Sequence, residues 1–360
     1  MKLPEGWKEV ELGKIFDFQK KSKIKAGQGS KKGKYKFFTS SDKQTKFINE
    51  YNQDGEFLIF ATGGHAGIHY CNEKFATSTD CFIVNVDDKV LIKYVYYYLF
   101  GRISLLEEGF KGAGLKHISK GYIQDIKLFY PEDKETQKAI VSILEKAEKS
   151  KEWRKEADDL TKEFLKSLHV EMFEKKNITE VKLSEVTDII MGQSPPGDSY
   201  NEGNEGTPFF QGKSEFTEKY PLVKKWTTKP TKMAKPNSVL MSVRAPVGSV
   251  NLCNIDCCIG RGLASILPKD KITLEFLYST LQAMEDKIAN MGSGSTFKAI
   301  TSSQLRNLKI PLPPISLQNK FASIVKEVEA MKEQQKHSKN HIDKLFNALM
   351  QKAFKGELKI

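Results

Sequence analysis

The sequence predicts a mixed α/β (α+β) fold built as an internal duplicate. Two globular domains each run into a long helix, and the two helices pair as an antiparallel coiled coil with pseudo-twofold symmetry. Three observations predict it. The stretch "FKGAGLKHISKGYIQDIKLFYPEDKETQKAIVSIL" (110–144) recurs as "MGSGSTFKAITSSQLRNLKIPLPPISLQNKFASIV" (291–325). Each copy follows a series of short apolar runs of strand type, and each opens a long stretch without Gly or Pro, over 134–175 and 316–355. At 360 residues the chain also exceeds the size at which one hydrophobic core usually keeps growing.

The repeat is positional. Gly112 and Gly114 fall on Gly292 and Gly294, Ile118 on Ile300, Lys127 on Lys309 and Pro131 on Pro313, at an offset of 182. Gln137, Ile143, Phe164 and Leu168 fall on Gln318, Ile324, Leu345 and Leu349 at an offset of 181. That period is far longer than the roughly 20–50 residues of a solenoid unit, so whole domains are duplicated. The expected boundaries are a first domain over 1–133, a central helix over 134–176, a second domain over 177–315 and a C-terminal helix over 316–360.

Within each domain the elements follow one order. "WKEVELGKIFDF" and "TEVKLSEVTDII" open the two halves as a short strand and a turn. Phe37 and Phe38 then match Phe209 and Phe210. "GEFLIFATGGHAGIHYCN" and "NSVLMSVRAPVGSVNLCN" are pairs of apolar strands joined through Gly67 and Gly248. "VLIKYVYYYLF" and "TLEFLYSTLQAM" are helical, and a Gly-rich loop and final strand close each domain. Proline ends that strand and polar residues start the helix.

Along the helices a 3-4 spacing marks a seam. It runs through Ile140, Ile143, Ala147, Ser150, Arg154, Ala157, Thr161, Phe164 and Leu168. In the second helix it runs through Phe321, Ile324, Val328, Met331, Gln335, Ser338, Ile342, Leu345 and Leu349. Both seams are polar near the middle, so antiparallel pairing sets polar centre against polar centre. A helix of about 40 residues is about 60 Å long, which would hold the two domains apart.

With 57 Lys+Arg against 45 Asp+Glu, the chain carries +12. That balance favours a polyanion as partner, through phosphate contacts and counterion release. Charge concentrates over Lys20 to Lys36, eight lysines without an acid; Lys20, Lys21, Lys23, Lys25, Lys31 and Lys32 are candidate phosphate contacts on a glycine-containing, mobile loop. The corresponding segment of the second half, "MGQSPPGDSYNEGNEG", is acidic. Loop chemistry has diverged while the framework has not, as expected if the two domains read different sequences. Candidate base-reading or phosphate-contacting residues are Thr39, Ser40, Lys43, His65 and Lys116 in the first half, and Lys213, Ser214, Arg244, Arg261, Thr296 and Lys298 in the second.

Catalytic patterns fit poorly. "GTPFFQGKS" has five residues between its glycines where a phosphate-binding loop needs four. Asp125, Glu132 and Lys134 have nuclease-like spacing, but their counterparts Asn307, Pro314 and Ser316 do not keep it. His337 and His341 lack a third ligand, and Cys253, Cys257 and Cys258 form no zinc-type pair of turns. The five cysteines are expected to be reduced, those in apolar strands buried. No apolar run reaches the roughly 20 residues of a membrane span and no signal segment is recognised, so a cytoplasmic location is expected.

The duplicated layout, the "GSGSTFKAITSSQLRNLKIPLPPISLQ" junction and the "KETQKAIVSILEKAE" helix start resemble the specificity (S) subunit of type I restriction–modification enzymes, over nearly the whole chain. The resemblance implies a non-catalytic subunit with two target recognition domains, each reading half of an asymmetric bipartite DNA site, and helices that act as a ruler for the gap. It implies two methyltransferase (M) subunits that bind S-adenosylmethionine and methylate adenine N6, and restriction/translocase (R) subunits that use ATP and Mg²⁺. No cofactor or metal is expected on this chain. The "FYPEDK" of the first junction departs from the "PLPPIS" of the second, so the turn there can differ. Two other readings are a stand-alone nuclease or methyltransferase and a coiled-coil adapter that ignores DNA.

Overall fold

The structure is a computed structural model that describes residues 4–174, 178–292 and 299–358. It divides into two compact units: residues 1–155 with 336–360, and residues 156–335. Each unit therefore contains one globular half and a piece of both long helices.

In the first unit, strands β1 (Trp7–Glu11) and β9 (Lys127–Pro131) pair antiparallel, joining the start of the domain to its end. A four-stranded antiparallel sheet has the order β2 (Phe16–Phe18), β8 (Cys81–Val86), β5 (Phe57–Ala61), β6 (Ile68–Cys71). A smaller sheet has the order β4 (Lys46–Ile48), β3 (Tyr35–Phe38), β7 (Phe75–Thr77), with β3 and β7 parallel. The helix Ile92–Phe100 buries Tyr94, Val95, Tyr98 and Leu99 against the larger sheet and Phe354.

The second unit repeats this plan. β10 (Glu180–Lys182) pairs with β20 (Lys309–Pro311), and the antiparallel sheet runs β11 (Thr187–Met191), β19 (Leu263–Pro268), β16 (Ser238–Ser242), β17 (Val250–Cys253). The other sheet has five short strands where the first unit has three, in the order β12 (Tyr200–Asn201), β14 (Trp226–Thr227), β13 (Thr207–Phe210), β18 (Cys257–Ile259), β15 (Met233–Ala234), with β13 and β18 parallel. The matched aromatic pairs occupy one place in both copies: Phe38 lies opposite Thr77 and Phe210 opposite Ile259.

The most telling repeat is a pair of glutamines at the helix starts. Gln137 is fully buried; its Oε1 accepts from the Leu91 amide at 2.8 Å and its Nε2 donates to the carbonyls of Pro131 (2.8 Å) and Lys89 (3.3 Å). Gln318 does the same with the Thr273 amide (2.8 Å) and the carbonyls of Pro313 (2.9 Å) and Lys271 (3.1 Å). A buried backbone group needs a partner, and one amide side chain here supplies three of them. The helix starts themselves differ. Asp133 caps the first, accepting from the Thr136 amide at 2.9 Å, and these hydrogen bonds hold its carboxyl below the usual range. The second begins beyond Pro313 and Pro314, with the Leu317 amide bonding back to the Pro314 carbonyl at 2.9 Å.

The central helix spans Lys134–His169 and the C-terminal helix Ile315–Ala353. In the second unit they run antiparallel: Gln335 donates to Thr161 Oγ1 at 2.9 Å, while His169 and Phe173 pack on Phe321. In the first unit, Lys151 pairs with Asp343 at 3.0 Å.

The expected seam needs correction in both helices. Phe164, Met331 and Leu345 are 49%, 48% and 56% exposed, whereas Phe346 is buried and Leu165 and Lys332 half-buried; Phe321 and Val328 are buried as expected. A straight helix has 3.6 residues per turn, so a stripe drawn at 3.5 slides off the contact face within a few turns. At the polar middle Gln335 meets Thr161, itself a polar seam residue, and Ser150 bonds to the Lys146 carbonyl of its own helix. Leu345→Gln should accordingly leave stability within about 0.5 kcal/mol of the parent in denaturant unfolding. A loss of about 2 kcal/mol or more would place Leu345 back in the seam.

Candidate nucleic-acid interface

Parallel strands end at the same edge of a sheet, so the loops that leave β3 and β7 emerge side by side, as do those that leave β13 and β18. In each unit the hairpin that joins an inner strand of the four-stranded sheet to its edge strand, β5 to β6 or β16 to β17, closes over those loops.

In the first unit, Ser40 Oγ accepts from the Gly63 amide and donates to its carbonyl, both at 2.7 Å. The Thr62 amide donates to the Asp80 carbonyl at 3.2 Å and the Ile118 amide to the Thr62 carbonyl at 3.1 Å. The Gly64 amide reaches the Lys116 carbonyl at 3.0 Å. Thr39, Ser40, the exposed His65 and the exposed Lys116 thus share one face. Lys43 follows Ser41, whose carbonyl lies 2.8 Å from His69 Nε2. Burial pushes the His69 imidazole below its ordinary range, which favours the neutral ring.

The basic segment is anchored rather than loose, a correction to the mobile loop expected. The Thr79 amide donates to the Ile24 carbonyl at 2.9 Å, Lys46 Nζ to the Ala26 carbonyl at 2.9 Å, and Asn52 to Ser22 Oγ at 2.8 Å. Ile24 meets Thr79, beside Asp80, so Lys20, Lys21, Lys23 and Lys25 lie next to the hairpin face. Lys31 and Lys32 precede β3 and sit at its other end from Ser40. All six lysines are exposed, and among the described residues none has a carboxylate within 4 Å.

In the second unit four segments converge. The Val243 amide donates to the Gly262 carbonyl at 2.9 Å and the Ile300 amide to the Val243 carbonyl at 3.0 Å. The Arg261 amide lies 3.4 Å from Ser194 Oγ. A Cβ added to Gly262 would stand 2.4 Å from the Gln211 carbonyl oxygen, so glycine lets the β18–β19 turn lie directly on the β13 loop. Arg244, Arg261, Lys213 and Ser214 are exposed here. Lys213 Nζ is 3.8 Å from Glu285, and the Ser214 hydroxyl donates to Glu215 at 2.7 Å. The buried Glu215 carboxylate also receives the Gln211 and Gly212 amides, so Ser214 helps hold the turn. Thr296 and Lys298 lie outside the described residues.

Sequence reading missed His117, Gln211 and Ser194. Gln211 is the counterpart of Thr39 in the Phe-Phe alignment, a signal that was available. His117 enters through a β-bridge to Gly63, and no local pattern marked it.

All five cysteines are free and buried, with Cys253 and Cys257 sulfurs 3.5 Å apart. Among the described residues no group of three or more His, Cys, Asp or Glu could hold a metal ion. Glu132 pairs with Lys8, and His341 Nδ1 lies 2.8 Å from the His337 carbonyl of its own helix. No helix among them is long and apolar enough to cross a membrane.

Two loop-built faces on a duplicated framework, one rimmed by lysines and the other by arginines, point to a class of protein: a nucleic-acid binder. The particular family follows from comparison. The model of the type I restriction modification DNA specificity domain matches residues 4–158 and 175–344, and the chain belongs to that family. It is similar to the MjaX type I restriction enzyme specificity subunit of Methanocaldococcus jannaschii, 40% identical over 200 residues, which spans 55% of this chain and only 47% of that protein. A solved chain from a study of complex assembly and conformational transition in a type I R-M system has 27% identity and a TM-score of 0.68, covering 99% of this chain and 100% of its own. The HsdS subunit from Thermoanaerobacter tengcongensis has 26% identity and a TM-score of 0.51, covering 99% of both chains.

Proposed function

We propose that this chain reads an asymmetric bipartite DNA site, one half with each recognition domain, and directs adenine methylation and restriction carried out by partner subunits. The observation that carries this reading is conservation of framework against divergence of face. The Gln137 and Gln318 clamps are bond-for-bond copies, while the loops of the two domains differ in charge and in most candidate contacts, Lys116 and its counterpart Lys298 excepted. Equal seats suit two identical partners, and unequal faces suit two different half-sites.

The partners on this reading are two methyltransferase subunits that bring S-adenosylmethionine, joined by restriction/translocase subunits that bring ATP and Mg²⁺. Exposed apolar residues on the central helix support docking there: Trp153 at 60% in the first unit, and Leu160 at 59%, four residues before Phe164, in the second. Phosphate contacts fall to the unpaired lysines of the basic segment, so complex formation with DNA weakens as salt rises. The chain itself contributes no catalytic group, and the complex works in the cytoplasm.

The test is to coexpress the chain with its methyltransferase and map N6-methyladenine across the host genome by single-molecule sequencing. The expected result is a bipartite motif with a fixed unread gap that disappears when this chain is omitted. Replacing residues 1–133 by another first domain should then change one half-site and leave the other and the gap alone. A contiguous motif that persists without the chain would remove it from methylation.

A further inference from the structure

The two faces carry different residues at equivalent turns, Gly63 and Thr79 in the first unit against Arg244 and Arg261 in the second. We propose that Arg244 and Arg261 read guanines in the half-site of the second domain, and that the first domain presents hydroxyl and imidazole groups at the same places. This rests on the DNA-reading function proposed above and assigns its chemistry.

Of the 57 basic residues only five are arginines. Three are engaged within the fold. Arg102 donates to the Phe354 carbonyl at 3.3 Å and lies over the Tyr98 ring at 4.4 Å. Arg306 donates to the Ile189 carbonyl at 2.9 Å and to Ser302 Oγ at 3.2 Å, and Arg154 has a partner of its own. Arg244 and Arg261 are exposed, and among the described residues neither guanidinium has a hydrogen bond or ion pair. They are also neighbours, because the Val243 amide is bonded to the Gly262 carbonyl.

Phosphate needs only charge, and this chain supplies charge almost wholly as lysine. An arginine adds a rigid fork of donors. Guanine offers two adjacent acceptors, O6 and N7, in the major groove, which that fork fits; adenine puts a donor at N6 and repels one tine. The backbone that carries the forks is held. Ser242 Oγ donates to the Arg244 carbonyl at 2.9 Å, and the Gly248 amide returns to the Ser242 carbonyl at 2.9 Å. A positioned fork selects between bases, whereas a loose one only attracts.

The hydrogen bonds of the first unit identify the equivalent places. Thr62 bonds to Asp80 and Ile118 to Thr62, as Val243 does to Gly262 and Ile300 to Val243. Gly63 therefore stands where Arg244 does, and Thr79 where Arg261 does. A Cβ added to Gly63 would lie 2.9 Å from His117 Cε1, so the imidazole occupies the room of a side chain at 63. That ring is held by its Nδ1, 3.1 Å from the Thr62 carbonyl.

The experiment uses the complex with the methyltransferase, wild type and with Arg244→Lys, Arg261→Lys or Arg244→Gln. Initial methylation rates are measured on duplexes in which each base pair of the wild-type motif is changed in turn. Both lysine variants are expected to lose about ten- to a hundredfold of discrimination at a G·C pair, at different positions of the same half-site, while the other half-site is read as before. Arg244→Gln should move the preference at its position toward adenine. Unchanged thermal melting of each complex separates lost reading from lost folding. A second half-site without G·C pairs, full preference retained in the lysine variants, effects in different half-sites, or a loss uniform over all positions would each overturn the assignment. A wild-type complex that methylates no bipartite motif would instead defeat the proposed function on which it rests.

Discussion

Gln318→Ala should destabilise the second unit by about 3 kcal/mol, and adding Gln137→Ala should bring the total loss to about 6 kcal/mol. Each glutamine satisfies one amide and two carbonyls at a junction where strand, helix and loop meet, and each is fully buried. Truncation removes the partner of all three groups, the proline carbonyl buried and the other two part-buried, so the low end of the about 1–3 kcal/mol for an unsatisfied buried group applies to each. The two glutamines share no partner, so their effects should add. Denaturant unfolding of the purified chain reads the totals, and hydrogen exchange at the Thr273 and Leu91 amides reads the sites separately. If exchange at Thr273 stays as slow in Gln318→Ala as in the parent, the clamp is not what protects that junction.

Acid should weaken the second unit by up to about 3 kcal/mol between pH 6.5 and pH 4 through one residue, His169. The side chain is 2% exposed, stacked on Phe276 at 6.0 Å and packed by Phe173 and Phe321, with Nε2 3.1 Å from Thr280 Oγ1. Burial disfavours the imidazolium and pushes the pKa from 6.5 down to about 4. Above pH 6.5 the ring is neutral folded or unfolded, and its stabilising burial is fully present. As pH falls below 6.5 the unfolded chain takes up a proton that the folded chain resists, and stability declines until the folded ring protonates near pH 4. Carboxylates add their own slope at the acid end, so the check is the difference between the parent and His169→Phe over a pH series. Equal slopes in the two would show that His169 does not titrate in this window.

The duplication was legible because it is written at positions where the backbone tolerates little: the junction prolines, the glutamine six residues further on in the first copy and five in the second, and the paired phenylalanines of β3 and β13. A residue that must satisfy three backbone groups has few substitutes, so Gln137 and Gln318 survived while the loops around them changed. The helices were legible as long stretches without Gly or Pro, but their contact face was not. A 3.5-residue template and a 3.6-residue helix diverge slowly, and Met331 and Leu345 are apolar enough to fit the template while facing outward.

The candidate faces were legible only in part. Arg244, Arg261, Lys213 and the lysines from Lys20 to Lys32 stand out as residue types. Nothing local says that Arg261 lies beside Gln211, that Ser40 bridges Gly63, or that His117 fills the space of a missing side chain. What the sequence by itself determined is the architecture, two copies of one domain each sealed to a helix, because those constraints act between residues near in the chain or repeated along it. What only the tertiary structure decided is which side chains share a face. There the parallel pairs β3–β7 and β13–β18 bring together loops separated by about forty to fifty residues, through backbone hydrogen bonds that carry no mark of side-chain identity.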